Sequence, residues 1–289
     1  MYAIYRYAVL MATVFTISAQ YKIIIQISPP RSLSTVAMRM WQARGDFVVM
    51  NEPFICAYAM NYESERQLTQ GWWHEDAPTT YEAVYQKIME CASTSHVFIK
   101  ELSFSFIDYL CTHDELLHNP DVYFVFLLRH PHPMMSSYYQ GHGRIIDKFS
   151  YLVGYQPCYE IWHMVDQLAV NKPYMLRAED LSMHPHETAQ ALCKAVDIPF
   201  MEHMLQWENL GDAFVGREEW HELKEPQLIY AWHKPAIQST CFHEPTQYAV
   251  DAAGNPTFEE VSNDADRAIC FAAYDENMHY YRLLMAKKL

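Results

Sequence analysis

The stretch "YKIIIQISPPRSLSTVAMRM", residues 21–40, passes from an apolar run rich in β-branched residues, through a polar turn opened by two prolines, into a second run of different periodicity. The first part, "YKIIIQI", reads as a buried strand. In "VAMRMWQAR" the apolar Val36, Met38 and Trp41 fall at helical rather than strand spacing. Strand, tight polar turn and helix together make the layout of a phosphate cradle. Ser34 and Thr35 stand where a helix N-terminus presents unpaired N–H groups and the positive end of its dipole; Arg31 and Ser32 add a forked cation and a hydroxyl. The plain alternative is that Ser and Thr are ordinary helix caps in a turn that binds nothing. The stretch is not a Walker A loop, which needs GxxxxGK[ST], because no glycine occurs between Gln26 and Met40. A nucleotide hydrolase or kinase of the usual P-loop kind is therefore disfavoured.

The pattern repeats along the chain. "HVFIKEL" from residue 96, "VYFVFLLRHP" from 122, "KPYMLRAEDL" from 172 and "GDFVVMNEPF" from 45 read as four more strands. Helical patterns lie between or beyond them at 80–92, 133–141, 158–170 and 186–195. This alternation predicts an α/β fold, a parallel sheet of about five strands flanked by helices. Ligands of such sheets bind beyond the carboxyl ends of the strands. Those ends carry Arg31, Glu52, Lys100 with Glu101, Arg129, and Glu179 with Asp180. The cations suit a multiply anionic ligand, and the carboxylates include candidates for a general base.

The 289 residues, 51% of them hydrophobic, suffice for a large core, and no repeat or linker divides them. We expect an apolar extension over 1–20 and a single domain over 21–289. The extension resembles a secretory signal loosely but is read as a mis-called start, with Met11 the beginning, or as a tail packed on the domain; it is too short for a stable membrane span. A net charge of −14, from 35 acidic and 21 basic residues, argues against nucleic acid as a partner, so any bound anion needs a local basic site. Seven cysteines without a CxxC pair fit neither a disulfide framework nor zinc, and favour a reducing, cytoplasmic setting. The histidines of "HPHP" and "HPH" are broken by prolines, and no HExxH occurs, so no metal is expected.

The segment "FVFLLRHPHPMMSSYYQ" resembles the 3′-phosphate-binding segment of the sulfotransferases that use adenosine 3′-phosphate 5′-phosphosulfate (PAPS). In that family a strand ends in arginine, a proline-bearing turn follows, and a serine stands eight positions on; here these are Arg129 and Ser137. "PPRSLST" resembles the family's 5′-phosphosulfate loop, and "LRAEDL" with "HPHETAQALCKAVDIP" resembles its later strand, turn and helix. The resemblance runs from Ile23 to Pro199. It implies the P-loop NTPase-like sulfotransferase fold, PAPS as donor co-substrate, no metal, and a small-molecule or carbohydrate acceptor. Arg31, Ser32, Ser34 and Thr35 would hold the 5′ end of the donor, and Arg129 and Ser137 the 3′-phosphate. Read alone, Ser137 is an ordinary solvated helix serine.

Three departures from the family pattern bear on function. Many members have lysine where this chain has Arg31, and glycine where it has Leu33. In the branch acting on small phenols and alcohols, a lysine and, two positions later, a histidine base follow the third strand; "IKEL" keeps Lys100 but puts Leu102 in the histidine's place. Carbohydrate-type members use a glutamate after the second strand, which here is Glu52, unless that side chain only bonds backbone or pairs with Arg31. In better-known members a late basic residue closes over the 3′-phosphate, a role that resemblance offers to Lys234 or Arg217 within "REEWHELKEPQLIYAWHKPAIQSTCF", where a tryptophan-rich helix leads to Ser239 and Phe242. Tyr58, Tyr62, Trp72, Trp73 and His74 follow the second strand, either as an acceptor wall or as plain core. The competing reading is a binding module that keeps the nucleotide and has lost catalysis.

Overall fold

The computed structural model describes residues 21–143, 149–211, 223–225 and 227–287, with backbone only for 227–231. The N-terminal extension and Arg217 lie outside the described residues. Five strands, β1 (Ile23–Ser28), β2 (Phe47–Asn51), β3 (His96–Leu102), β4 (Val122–Leu128) and β5 (Tyr174–Arg177), pair in the order β2-β3-β1-β4-β5, every pair parallel. The helices, in chain order, are α1 (Ser34–Arg44), α2 (Ile55–Asn61), α3 (Glu63–Leu68), α4 (Tyr81–Ala92), α5 (Ser103–Thr112), α6 (Glu115–His118), α7 (Pro131–His142), α8 (Phe149–Leu152), α9 (Tyr155–Leu168), α10 (Ala178–Met183), α11 (Pro185–Ala195), α12 (Gln227–Gln238) and α13 (Asp264–Met285).

β1 is the central strand because it can bury both faces: all six of its residues are buried. Its side chains alternate between two cores. Ile23, Ile25 and Ile27 join Ile99, Phe124 and Phe126 with residues of α4, α5, α9 and α13. Ile24 joins Phe98, Val125 and Leu127 with Met38 and Trp41 of α1 and Leu192 of α11. Trp41 is fully buried and stacks on Phe98 with ring centroids 5.0 Å apart. α1 is thereby held rigidly to the sheet.

Three helix starts differ from those expected by two residues or more, or change the kind of element. α7 starts two residues early because Pro131 fits the first helical position, where its missing N–H is no loss. α9 starts at Tyr155, with Pro157 in a first turn whose N–H groups have no intrahelical acceptor. The "AED" after β5, expected to extend the strand, opens α10, so Glu179 and Asp180 stand in a helical first turn, where the dipole favours acid.

With all strands parallel, their carboxyl ends meet at one edge. β1 lies in register with both flanking strands there, Gln26 beside Lys100 and Val125. Among the described residues no helix is long and apolar enough to cross a membrane. All seven cysteines are free thiols.

Candidate active site

The β1–α1 loop is strained and clamped. Arg31 and Leu33 both hold a left-handed backbone, at φ 58° and 62°, which costs an L-residue about 1–2 kcal/mol each. Long-range contacts enforce it. Arg129 Nη1 donates to the Arg31 carbonyl (3.1 Å), and the Arg31 guanidinium donates from Nε to Ser137 Oγ (3.1 Å) and from Nη1 to the Trp232 carbonyl (2.6 Å). Gly154, itself at φ 86°, packs against Pro29 and Pro30 so closely that a Cβ there would stand 3.4 Å from Pro29 Cα and 2.6 Å from Ser103 Oγ. The loop leads into α1, whose N-cap Leu33 offers no side-chain acceptor. The first N–H groups of α1 and the buried, unpartnered Ser32 Oγ therefore face a place suited to an anion. Ser34 and Thr35 are buried at the same point, and Thr35 Oγ1 lies 3.0 Å from His233 Nδ1.

Arg129 follows β4 and is buried, with its carbonyl accepting from the Tyr155 hydroxyl and its Nε without a partner. The turn after it is pinned by His130 N–H donating to Glu179 Oε1 (2.8 Å). The structure thus brings Arg31, Arg129 and Ser137 together, and Tyr248, whose hydroxyl donates to Gln140 Oε1 (3.0 Å), lies close to them. Burial pushes the pKa of both arginines down, and the charge of Arg129 adds to the effect on Arg31. Among the described residues neither guanidinium is hydrogen-bonded to a carboxylate; Glu179, whose charge Arg129 feels, is engaged by His130 and Arg177. Two adjacent, desolvated cations with no carboxylate hydrogen-bonded to them among the described residues make a place that favours an anion.

At the ends of β2 and β3 stands the second group. Lys100 is buried and donates to Asn51 Oδ1 (3.0 Å) and to Glu52, with which it forms an ion pair. Glu52 pairs with Lys100, then, and not with Arg31. Its own backbone is left-handed, at φ 53°, with its N–H held by the Lys100 carbonyl (2.7 Å). Strain of this kind persists where surroundings over-determine it, and it gathers at functional sites. Glu101, fully buried beside the pair, accepts from Phe54 N–H (3.0 Å), Leu102 N–H (2.8 Å) and Ser105 Oγ (2.9 Å). Burial, helped by the charge of Glu52, pushes its pKa up to about 8. Leu102, in the place of the family's histidine, supplies only its backbone.

Lys234 is exposed on α12, while its neighbours Trp232 and His233 are the residues that reach the loop. The sequence signal for them was the quoted "AWHKP", from which charge alone singled out the lysine. Tyr58 is buried and lies 5.0 Å from Tyr62 and 5.6 Å from Phe104, ring to ring, so this part of the aromatic group is as much core as wall. Trp72 and His74 are exposed. No group of three or more His, Cys, Asp or Glu among the described residues is placed to hold a metal ion.

The family model for the sulfotransferase domain matches residues 22–246. The chain belongs to the sulfotransferase domain family. The match takes in both strand-end groups and α12. Among curated proteins, the Arabidopsis thaliana branched-chain-amino-acid aminotransferase-like protein 2 is 25% identical over 221 residues, covering 76% of this chain; the chain spans 36% of that protein's length. Among solved structures, the sulfotransferase domain from the curacin biosynthetic pathway aligns with a TM-score of 0.47 at 18% identity, over 81% of this chain and 95% of that chain. A mouse sulfotransferase complexed with PAP aligns with a TM-score of 0.45 at 6% identity, over 92% and 89% of the two chains.

Proposed function

We propose that the protein transfers a sulfuryl group from PAPS to a hydroxyl or amine of a small-molecule or carbohydrate acceptor. The observation that carries this reading is the meeting of Arg31, Arg129 and Ser137, two desolvated cations and a hydroxyl with no carboxylate bonded to them among the described residues. PAPS carries charge at two separated centres, and on this reading the residues after β1 and those after β4 each serve one of them. Arg129 and Ser137 take the 3′-phosphate, with Lys234 closing from α12. The N–H groups of α1, Ser32, Ser34, Thr35 and Arg31 take the 5′-phosphosulfate.

The acceptor oxygen or nitrogen attacks sulfur, the bond from sulfur to the bridging oxygen breaks, and adenosine 3′,5′-bisphosphate leaves with the electron pair. Lys100 stabilises the charge that grows on the bridging oxygen, and Glu52 takes the acceptor's proton. In the resting site these two are paired with each other. Donor binding draws Lys100 toward the leaving oxygen and frees Glu52, so the base becomes available only when there is a group to transfer. No metal enters these steps.

The competing reading, a nucleotide-binding module without catalysis, is favoured by Leu102 standing where a histidine base is expected. Transfer of label from PAPS to a panel of phenol, primary alcohol, amine and oligosaccharide acceptors separates the two. Transfer by the wild type that falls ~100-fold or more in Glu52→Gln, with nucleotide affinity kept, supports the transferase. Bound nucleotide with no transfer to any acceptor class supports the module.

A further inference from the structure

α12 carries a proline within its helical run, Pro235, which has no N–H to give to the carbonyl four residues earlier. The turn before that proline is the part of α12 that meets the donor loop. The Trp232 carbonyl accepts from Arg31, and the Trp232 ring lies 4.5 Å from that of His142 at the end of α7. With its neighbour held on both sides, His233 is delivered to Thr35 at 3.0 Å, across 198 residues of sequence. The charges of Lys100 and Arg31 both act on its ring.

Thr35 has one hydroxyl proton, and its direction decides what the side chain can bind. If the proton points at His233 Nδ1, Thr35 shows only lone pairs to an incoming anion and repels it. If Nδ1 carries a proton and donates it to Oγ1, the hydroxyl proton is released to the ligand. Burial and the neighbouring cations hold the ring's pKa well below its ordinary value, so the imidazole is neutral near pH 7 and has one N–H to place.

We propose that His233 is a positioning residue of the donor site, whose Nδ1–H donates to Thr35 Oγ1 and so commits the Thr35 hydroxyl proton to the 5′ end of the nucleotide. This rests on the PAPS reading above, and it adds a residue from α12, outside the Ile23–Pro199 segment, that sets the hydrogen-bonding sense of the first loop.

The test is calorimetric titration with adenosine 3′,5′-bisphosphate of the wild type, His233→Ala, His233→Asn, Thr35→Val and the Thr35→Val/His233→Ala double variant. A hydrogen bond to a charged group sets the scale, so His233→Ala and Thr35→Val should each weaken binding ~10-fold or more. Asn presents an amide N–H near the place of Nδ1, so His233→Asn should recover affinity to within about threefold of wild type. The double variant should bind no more weakly than Thr35→Val alone, because His233 acts only through that hydroxyl. Should His233→Ala fail to fold, His233→Gln replaces it, since its amide reaches the place of Nε2 and not Nδ1. The inference is overturned by unchanged affinity in His233→Ala, by additive losses in the double variant, or by His233→Asn binding as weakly as His233→Ala. A wild type that does not bind the nucleotide removes the donor reading and this inference together, whereas binding without the coupling removes this inference alone.

Discussion

Leu33 shows how one residue records the demands of the donor loop. Its φ of 62° lies where glycine rests without strain, and it is the position at which family members commonly have glycine. The side chain packs on the core that contains α1, which offsets part of that strain. Leu33→Gly should therefore change stability by no more than about 1 kcal/mol in denaturant titration, while Leu33→Val, with a β-branch in a left-handed backbone, should destabilise by about 2 kcal/mol. Equal losses in both would mean that packing rather than backbone geometry decides the position. Arg31, Glu52, Lys100, Arg129 and Ser137 were legible because each stands at or just beyond the carboxyl end of a strand, or at a fixed distance from a residue that does. His233 and Tyr248 were not, because their contacts with Thr35 and Gln140 join distant parts of the chain and leave no local pattern. Nor was the tie between Glu52 and Lys100, which depends on β2 and β3 being neighbours in the sheet.

Between elements, the decisive junction is the one that seats α9 under the prolines of the first loop. Ser103 Oγ, opening α5, donates to the Gly154 carbonyl at 2.7 Å, and a Cβ on Gly154 would stand 3.4 Å from Pro29 Cα. Gly154→Ala would place a methyl carbon 2.6 Å from that hydroxyl at a φ unsuited to any L-residue. It should destabilise by about 2 kcal/mol or more and weaken nucleotide binding, since the loop must shift. A variant with wild-type melting temperature and affinity would show that the loop does not depend on this contact. The strands were legible as elements because β-branched and aromatic runs end in charge or proline. The early starts of α7 and α9 were missed for one reason: proline reads as a breaker in sequence, yet within a first turn it gives up no helical hydrogen bond.

For the molecule as a whole, net charge and buried charge pull in different directions. A chain of −14 brings two desolvated cations, Arg31 and Arg129, to one sheet edge and buries a carboxyl, Glu101, near Glu52. Burial raises the Glu101 pKa from 4.5 to about 8. Its contribution to stability is therefore fully present below pH 4.5 and is lost as pH rises through about 8. Histidines 130, 132 and 233 have lowered pKa values and act in the opposite sense, but only below their ordinary 6.5. Between pH 6.5 and 8 the wild-type melting temperature should fall, and Glu101→Gln should flatten that fall; the same slope in both would remove Glu101 as its source. The central claim is that two arginines 98 residues apart in sequence are brought by this sheet into one site for a doubly anionic nucleotide. Calorimetric titration with adenosine 3′,5′-bisphosphate in the absence of magnesium tests it most directly, with Arg129→Ala and ATP plus magnesium as comparisons. Micromolar binding of the bisphosphate, abolished in Arg129→Ala and much weaker for ATP, is the expected result. Absence of binding, or binding indifferent to Arg129, would contradict the account.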